Sequence, residues 1–323
     1  MTYQFMNASD TQTIYLLERF ISPEYFENLL QTWRQFVALN EASLDRYMHN
    51  LPEDARHRPL PQQADITWGR TVLPNLRETL DALEDGRRRI LSGDLNGLSA
   101  AKGPISDNRG IVDFSVEWMT QEELTSFEEL LAKTYTAAFN IDRTAGAYWS
   151  PGVLSFDYES SQRGPLDLPA RLPHYQVVKE PGIRSGYRVL AGIYISDVPH
   201  SSPQFLNSKF EAPNAEVLLG YQTVLSPLDG SLCGRDPLTE HVECTWSRVV
   251  RAHNSFDSVS TIQNDDWARV PAGERCREPG YYFTPAQTGS RRKFKLGELM
   301  PDLGSDFGTT IWQWDQDQAA NTD

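Results

Sequence analysis

The stretch Ser22-Pro23-Glu24-Tyr25-Phe26-Glu27-Asn28-Leu29-Leu30-Gln31-Thr32-Trp33 shows most directly how the front of this chain folds. A hydroxyl residue, a proline and an acid in this order are typical of a helix start, where they cap the backbone and complement the helix dipole. From Phe26 to Met48, apolar residues mostly recur every three or four positions, which is the spacing of one helix face. The stretch therefore predicts a long amphipathic helix.

Three further helices follow from similar patterns around this stretch. A shorter one precedes it at residues 14–20, and another begins near Pro74 and fades at Gly93. Thr120-Gln121-Glu122-Glu123 matches a capping box, in which the Thr hydroxyl and the Glu carboxylate each accept a backbone N–H, and an apolar stripe follows it. Residues 51–63 are polar and proline-rich and predict a loop, and the glycines of residues 97–110 predict a flexible connection.

Beyond Asn140 the pattern changes to short runs rich in β-branched and aromatic residues, which predict strands. These runs are residues 187–198, 216–225, 245–252 and 309–314. We therefore expect an α+β fold with a helical N-terminal half packed on or beside a mainly antiparallel β C-terminal half. The expected divisions are a helical domain at 1–140, a mixed, mainly β domain at 141–315 that ends in a small β module at 271–314, and a frayed tail at 316–323.

Charge is the most informative feature of the composition. The 323 residues include 44 Asp and Glu against 30 Lys and Arg, a formal net charge of −14. This balance argues against a nucleic-acid partner, whose phosphates need cations, and it favours a cationic partner, although acidity also serves solubility alone. The chain shows neither a leader-like start nor an apolar run of bilayer length, so we expect a cytoplasmic protein with no membrane partner.

The common catalytic motifs are absent from the sequence: there is no P-loop, dinucleotide glycine fingerprint, His-Glu-x-x-His helix or Gly-x-Ser-x-Gly elbow. Ser99-Ala100-Ala101-Lys102 followed by Ser106-Asp107-Asn108 partly matches the serine penicillin-recognising enzymes. In those enzymes the two elements face each other across a cleft, whereas here a short linker separates them and no Lys-Thr-Gly strand follows. We therefore interpret both segments as polar loop residues.

Cysteine and histidine spacing leaves two further hypotheses open. Cys233, His241 and Cys244 could bind a metal, with Cys276 completing the set through folding, but a structural zinc site needs four compactly spaced ligands. We favour buried cysteines and a surface histidine, with no metal and no cofactor. His200 near Asp197, and His253 near Asp257, resemble a general base with its orienting carboxylate, yet no nucleophile stands beside either pair.

The most distinctive part of the sequence is residues 271–314. It contains Gly273-Glu274-Arg275-Cys276, then Gly297-Glu298-Leu299-Met300-Pro301, and ends in Ile311-Trp312-Gln313-Trp314. Glycine turns and alternating apolar residues predict a small β module in which Trp312 and Trp314 share a face. This text resembles the C-terminal module of immunity proteins from bacterial polymorphic-toxin and type VI secretion systems. Arg277-Glu278-Pro279-Gly280 departs from the pattern, since relatives more often have Pro directly after the Cys.

The resemblance implies a cytosolic antidote that catalyses nothing and neutralises a cognate secreted antibacterial toxin by occluding its active site. We expect a nuclease effector first, because nucleases are typically cationic and an acidic protein would be steered to them, with a cell-wall-degrading or NAD-cleaving toxin as the alternatives. Two acidic sets are candidate interfaces: Glu122, Glu123, Glu128 and Glu129, or alternatively Asp302, Asp306, Asp315 and Asp317.

Two other functions remain open at the level of sequence. One is a hydrolase with a His/carboxylate site, with or without a metal at Cys233, His241 and Cys244. A deep polar cleft with several titratable groups would favour it over the inhibitor. The other is a scaffold or homo-oligomer, which needs an exposed apolar face on the N-terminal helices.

Overall fold

The structure is a computed structural model that describes residues 6–154, 158–252, 269–276, 279–284, 290–303 and 310–315. The chain divides into two compact units, Met1–Ala252 and His253–Asp323. Helices dominate the N-terminal half and antiparallel sheets follow in the C-terminal half, so the predicted α+β class is confirmed. The change from helices to strands lies inside the first unit.

The helices of the first unit begin where the capping residues predicted. Ser22 Oγ accepts the N–H of Tyr25 at 3.1 Å, and Thr120 and Glu123 form the reciprocal capping box. The helices are α1 (Ala8–Phe20), α2 (Pro23–His49), α3 (Ala64–Thr67), α4 (Leu73–Leu91), α5 (Lys102–Ile111), α6 (Gln121–Ala145) and α7 (Ser160–Arg163). Short 3₁₀ turns lie at Ala55–His57, Leu60–Gln62 and Leu95–Ala101, and a π turn at Trp68–Val72 leads into α4.

A cluster of aromatic rings joins α2, α6 and the turn before α4. Phe36 and Phe127 lie 5.2 Å apart between ring centroids, and Trp68 contacts Phe127 edge-on at 5.8 Å. The indole N–H of Trp33 donates to the carbonyl of Leu76 at 3.0 Å, so the buried ring leaves no polar atom unsatisfied. Each such ring stabilises the fold by about 1.5–3 kcal/mol through burial alone.

The strands of the first unit are β1 (Tyr175–Val177), β2 (Ile183–Arg184), β3 (Gly192–Ser196), β4 (Gln204–Leu206), β5 (Ala215–Leu225), β6 (Leu232–Val242) and β7 (Thr245–Arg251). One antiparallel sheet has the order β1-β7-β3-β4, with β2 also paired to β7, and β5 and β6 form a separate pair. The predicted strands near 187–198, 216–225 and 245–252 are confirmed as β3, β5 and β7. Ile193, Phe205 and Val249 pack into the same core as the helices.

The second unit contains an antiparallel sheet of β8 (Arg269–Pro271), β9 (Gly280–Phe283), β10 (Arg292–Phe294) and β11 (Ile311–Trp314), in the order β10-β9-β11-β8. The predicted strand near 309–314 is therefore confirmed as β11. The buried core of the unit consists of Val270, Cys276, Tyr282, Phe294, Met300 and Trp312. Trp312 is thus part of an apolar cluster, while the side chain of Trp314 lies outside the described residues.

Two of the segments that carry the family resemblance bind each other in this unit. The N–H of Gly273 donates to the carbonyl of Met300 at 2.8 Å, and the N–H of Cys276 donates to the carbonyl of Glu298 at 2.7 Å. Gly273 and Gly297 have φ angles of 87° and 78°, a region that glycine adopts without steric cost. These motif residues therefore specify the fold of the unit.

The prediction of a flexible connection at residues 97–110 is wrong, because a 3₁₀ turn and α5 occupy this region. Its first glycine is a packing residue: a Cβ on Gly97 would lie 2.3 Å from the carbonyl oxygen of Gly86 on α4. A Cβ on Gly86 would in turn lie 2.7 Å from the Gly97 oxygen and 2.9 Å from the Ala100 Cβ. The two glycines let the backbones of α4 and the turn approach each other closely.

We expect Gly86→Ala to lower the free energy of unfolding by about 1–3 kcal/mol, because the added methyl group overpacks a backbone contact. Urea unfolding followed by tryptophan fluorescence measures this change. Gly110→Ala is the matched control, since a Cβ there meets no atom within 4 Å, and we expect it to be neutral or stabilising. Equal effects of the two substitutions would contradict the packing role of Gly86.

Candidate functional site

The first unit contains a cavity of about 590 Å³, a size typical of small-molecule sites. Its walls come from separate parts of the chain: the turn before α5, the end of α6, β4 with the loop that follows it, and the β5–β6 pair. The cavity therefore exists only when the helices and the strands of this unit are packed together.

A buried glutamine fixes the two main walls against each other. Trp149, just beyond α6, donates its backbone N–H to Oε1 of Gln204 on β4 at 3.2 Å, and its carbonyl accepts a hydrogen bond from Gln204 Nε2. The indole N–H of Trp149 donates to Thr144 Oγ1 at 3.1 Å. Because both ends of the Gln204 amide are used, the segment that follows α6 has a defined position on β4.

Arg143, in the last turn of α6, presents a guanidinium group to this cavity. Its Cζ lies 5.5 Å from the ring centroid of Phe139 and 5.3 Å from that of Tyr148. A Cβ on Gly146 would lie 2.2 Å from the Tyr148 ring, so this glycine provides the space in which the ring packs. The Arg143 Nε is buried without a hydrogen-bond partner, and no ion pair to this guanidinium is seen in the described part of the chain.

Charged groups of both signs line the same cavity. The cations are Lys102, Arg143 and Lys209, and the carboxylates are Asp142, Glu211 and Glu216, with His241 beside them. On the paired strands His241 lies directly opposite Glu216. Within the described ranges, none of these seven residues takes part in an ion pair, whereas many arginines elsewhere do, as in Arg19–Asp167 and Arg251–Glu18. The cavity thus holds charges that the fold does not neutralise.

The acidic residues predicted on α6 divide into two kinds. Glu122, Glu128 and Glu129 are exposed, and the seven-residue spacing of Glu122 and Glu129 places them on one helix face. Glu129 lies 3.7 Å from Lys133. Glu123 is different, because its side chain is only 17% exposed and its two carboxylate oxygens bind Arg46 of α2 at 2.6 and 2.7 Å. The bidentate Arg46 pair holds the pKa of Glu123 down to about 2.

The alternative acidic set lies in the second unit. Asp302 accepts a hydrogen bond from the hydroxyl of Thr310 at 2.8 Å, and Asp315 forms an ion pair with Arg291. Both carboxylates therefore make contacts within their own unit. Asp306 and Asp317 lie outside the described residues, and the use of this set as an interface stays a prediction.

The cysteines do not assemble with His241. Cys233 and His241 are eight residues apart on the single strand β6, which separates them by about 26 Å, so one metal ion cannot contact both. The prediction of buried cysteines is confirmed for Cys244 and Cys276 and is wrong for Cys233, which is exposed at the far end of the strand pair. Burial raises the pKa of the Cys244 thiol. Among the residues that the structure describes, no group of three His, Cys, Asp or Glu side chains is arranged to hold a metal.

The remaining motif candidates have different outcomes. Ser99 and Lys102 both line the cavity, but Ser99 lies in the 3₁₀ turn and residues 106–108 lie within α5, so their interpretation as loop residues is wrong. Burial raises the pKa of Asp107, whose carboxylate accepts a hydrogen bond from the side chain of Thr79 on α4. The carboxylate of Asp197 accepts the N–H of Thr245 at 2.8 Å. His253 and Asp257 lie outside the described residues.

Four residues that line the cavity are not among the sites predicted from the sequence: Arg143, Tyr148, Lys209 and Phe210. A local signal exists at one point only, where a basic residue in the last turn of a helix is followed by Gly146 and an aromatic residue. Tertiary packing brings the loop after β4, with Lys209 and Phe210, next to the end of α6. No pattern in the sequence predicts this contact.

We expect Glu123→Gln to lower the free energy of unfolding at neutral pH by about 1–2 kcal/mol, because it weakens both the Arg46 pair and the cap of α6. A carboxylate with a depressed pKa stabilises the fold above its unfolded pKa and loses this contribution as the pH falls through its folded pKa. The difference between the two proteins should therefore shrink between about pH 4.5 and pH 2. Urea unfolding over this pH range measures the difference.

Glu122→Gln is the control for this measurement, since Glu122 is exposed and lies beside Glu123 in the same helix turn. We expect a change of at most about 0.5 kcal/mol for this variant, because surface substitutions rarely exceed that value. A pH-independent effect of Glu123→Gln would show that the ion pair with Arg46 is not its cause.

No family model, curated protein or solved structure matches this chain. The resemblance of residues 271–314 to immunity proteins therefore stays a hypothesis from the sequence. No helix in the described ranges is both long and apolar enough to span a bilayer.

Proposed function

We propose that this chain is an immunity protein that binds a cognate secreted antibacterial toxin and occludes its active site. The observation that carries this proposal is the acidic face of α6, which we define as Glu122, Glu128 and Glu129. These three carboxylates are exposed on a helix that packs against α2 through the buried ring of Phe127. A rigid helix holds its charges in place before binding, which reduces the entropy lost on association.

Charge supports a cationic partner of this kind. The net charge of −14 gives the protein a long-range attraction for a basic surface, and the acidic face of α6 gives that attraction a local direction. A toxin that cleaves nucleic acid needs cations around its active site to hold phosphates. An acidic protein that docks there would block substrate access, so we place a nuclease effector first among the toxin classes.

The C-terminal unit supports the proposal in a different way. The residues that carry the resemblance to immunity proteins are either buried, as Cys276 and Trp312 are, or engaged in backbone hydrogen bonds, as Gly273 is. Their role is to fold the module, and a fold by itself does not identify a toxin. We therefore place the toxin-binding surface on the first unit.

A second candidate function, a hydrolase with a His/carboxylate site, is favoured by the cavity itself. His241 and Glu216 both line it and lie opposite each other on β6 and β5. Within the described part of the chain, His241 makes no hydrogen bond to a hydroxyl or thiol nucleophile. Loss of a measured hydrolytic turnover in His241→Asn would support this candidate and would overturn the proposal of a purely binding protein.

We expect the double reversal Glu128→Lys and Glu122→Lys to weaken binding of the toxin encoded by the adjacent open reading frame by at least about tenfold, through loss of attraction to its basic surface. Surface plasmon resonance with the purified pair measures the affinity. Glu78→Lys with Asp81→Lys on α4 is the matched control, because it changes the net charge equally at two exposed positions. Equal weakening by both double variants would remove the acidic face of α6 as the interface.

Salt should affect this complex mainly through its association rate. Screening shortens the range of the attraction, so the rate constant should fall by about tenfold or more between low and high ionic strength. Stopped-flow measurements across a salt series provide the test. An association rate that is independent of salt would refute electrostatic steering, and failure of the adjacent gene product to bind would refute the immunity function itself.

A further inference from the structure

We propose that the cavity of the first unit is a binding site for a small organic anion, a planar heterocyclic ring that carries one phosphate or carboxylate group. This site is separate from the toxin surface proposed above, since Arg143 lies about 30 Å along α6 from Glu122. Four features of the described residues define the ligand: an oriented guanidinium, two flexible cations, exposed aromatic rings and uncompensated carboxylates.

Arg143 is the centre of the site. The rings of Phe139 and Tyr148 hold its guanidinium at 5.5 and 5.3 Å, which restricts the orientation of a side chain that is otherwise flexible. A planar guanidinium donates paired hydrogen bonds to a carboxylate or a phosphate. Its Nε is buried without a hydrogen-bond partner, so an incoming anion would bind the two terminal nitrogens of the guanidinium.

Two lysines from different parts of the chain line the same cavity. Lys102 begins α5, and Lys209 lies in the loop after β4. Neither has an ion-pair partner in the described ranges, although the chain as a whole has an excess of carboxylates. A lysine acts as a mobile point charge, so both can reach an anionic group that Arg143 orients.

Aromatic rings define the other half of the ligand. Tyr148 and Phe210 line the cavity with 51% and 60% of their surface exposed, in contrast to Trp246, which is buried. Exposed rings at a charged cavity offer stacking surfaces for a planar ligand. Lys209 lies 5.7 Å from the Phe210 ring, so a cation and a stacking surface are adjacent on this loop.

The carboxylates of the cavity restrict the ligand further. Asp142, Glu211 and Glu216 would repel a bare polyanion, and they are hydrogen-bond acceptors only. A ring with N–H donors satisfies them, whereas a ring without donors leaves them desolvated. The combination selects a heterocycle with N–H groups and one anionic substituent, which a nucleoside monophosphate and a heteroaromatic carboxylate both provide.

Isothermal titration calorimetry of the purified full chain tests the proposal with four probes: adenosine 5′-monophosphate, indole-3-acetate, adenosine and inorganic phosphate. We expect at least one of the first two to bind, and to bind about tenfold or more tightly than both adenosine and phosphate, because only it engages cations and rings together. The tighter of the two identifies the phosphate or the carboxylate as the anionic group.

Variants locate the binding in the cavity. Lys209→Gln and Arg143→Met should each weaken it about tenfold, and Lys209 is exposed, so its substitution leaves the packing intact if the Arg143 variant does not fold. Lys179→Gln is the matched control, because it removes the same charge from an exposed position that does not line the cavity. The proposal is overturned if none of the probes binds at millimolar concentration, if phosphate binds as tightly as the ring-bearing anions, or if Lys209→Gln binds like Lys179→Gln.

Discussion

The first unit depends on one buried pairing, in which the side-chain amide of Gln204 satisfies both backbone groups of Trp149. An unpaired backbone N–H or carbonyl in this position would cost about 1–3 kcal/mol each, so the pairing is needed before the segment can be buried at all. The ring of Trp149 extends the connection, because Arg163 lies 4.7 Å above it and Phe20 of α1 lies 6.2 Å away. A single tryptophan thus joins the end of α6 to the first helix and to the sheet.

The same pairing explains why a cavity lined by uncompensated charges can persist. Arg143 and Tyr148 belong to the helical wall and Lys209 to the loop after β4, so their separation is set by the position of Trp149 on Gln204. Lys102, Lys209 and Glu211 are exposed and hydrated, so they cost little without partners, whereas the buried Nε of Arg143 is a donor that the fold leaves unsatisfied. The contrast with Glu123 is informative, because that carboxylate is bound by Arg46 on both oxygens and its charge is compensated within the fold.

Local features of this fold were predictable from the sequence, and contacts between distant segments were not. The caps at Ser22 and Thr120 involve residues three positions apart, so they can be recognised directly in the amino-acid sequence. Glu123 forms the capping box that the sequence predicts. Its ion pair with Arg46 joins residues 77 positions apart, so the sequence does not predict that Glu123 is missing from the acidic face of α6. The sequence predicts flexibility at Gly97, and this prediction fails because the contact of Gly97 with Gly86 leaves no local pattern. The contact forms only after α4 and the following turn pack together.

Opposite charges on one helix also show why net charge is a limited guide to function. The acidic residues of α6 lie near its N-terminus, where they complement the helix dipole, and Arg143 lies in its last turn, where a cation does so. Over distances beyond about 8 Å, physiological salt screens the excess of carboxylates elsewhere on the chain. An anion inside the cavity therefore interacts mainly with the charges that line it, the cations Arg143, Lys102 and Lys209 and the carboxylates Asp142, Glu211 and Glu216. A large basic partner outside interacts instead with the exposed acidic surface of the chain. The same helix can in this way present an acidic face to a protein and a cation to a small anion. The two sites lie about 30 Å apart along α6, which is several times the distance over which salt screens a charge.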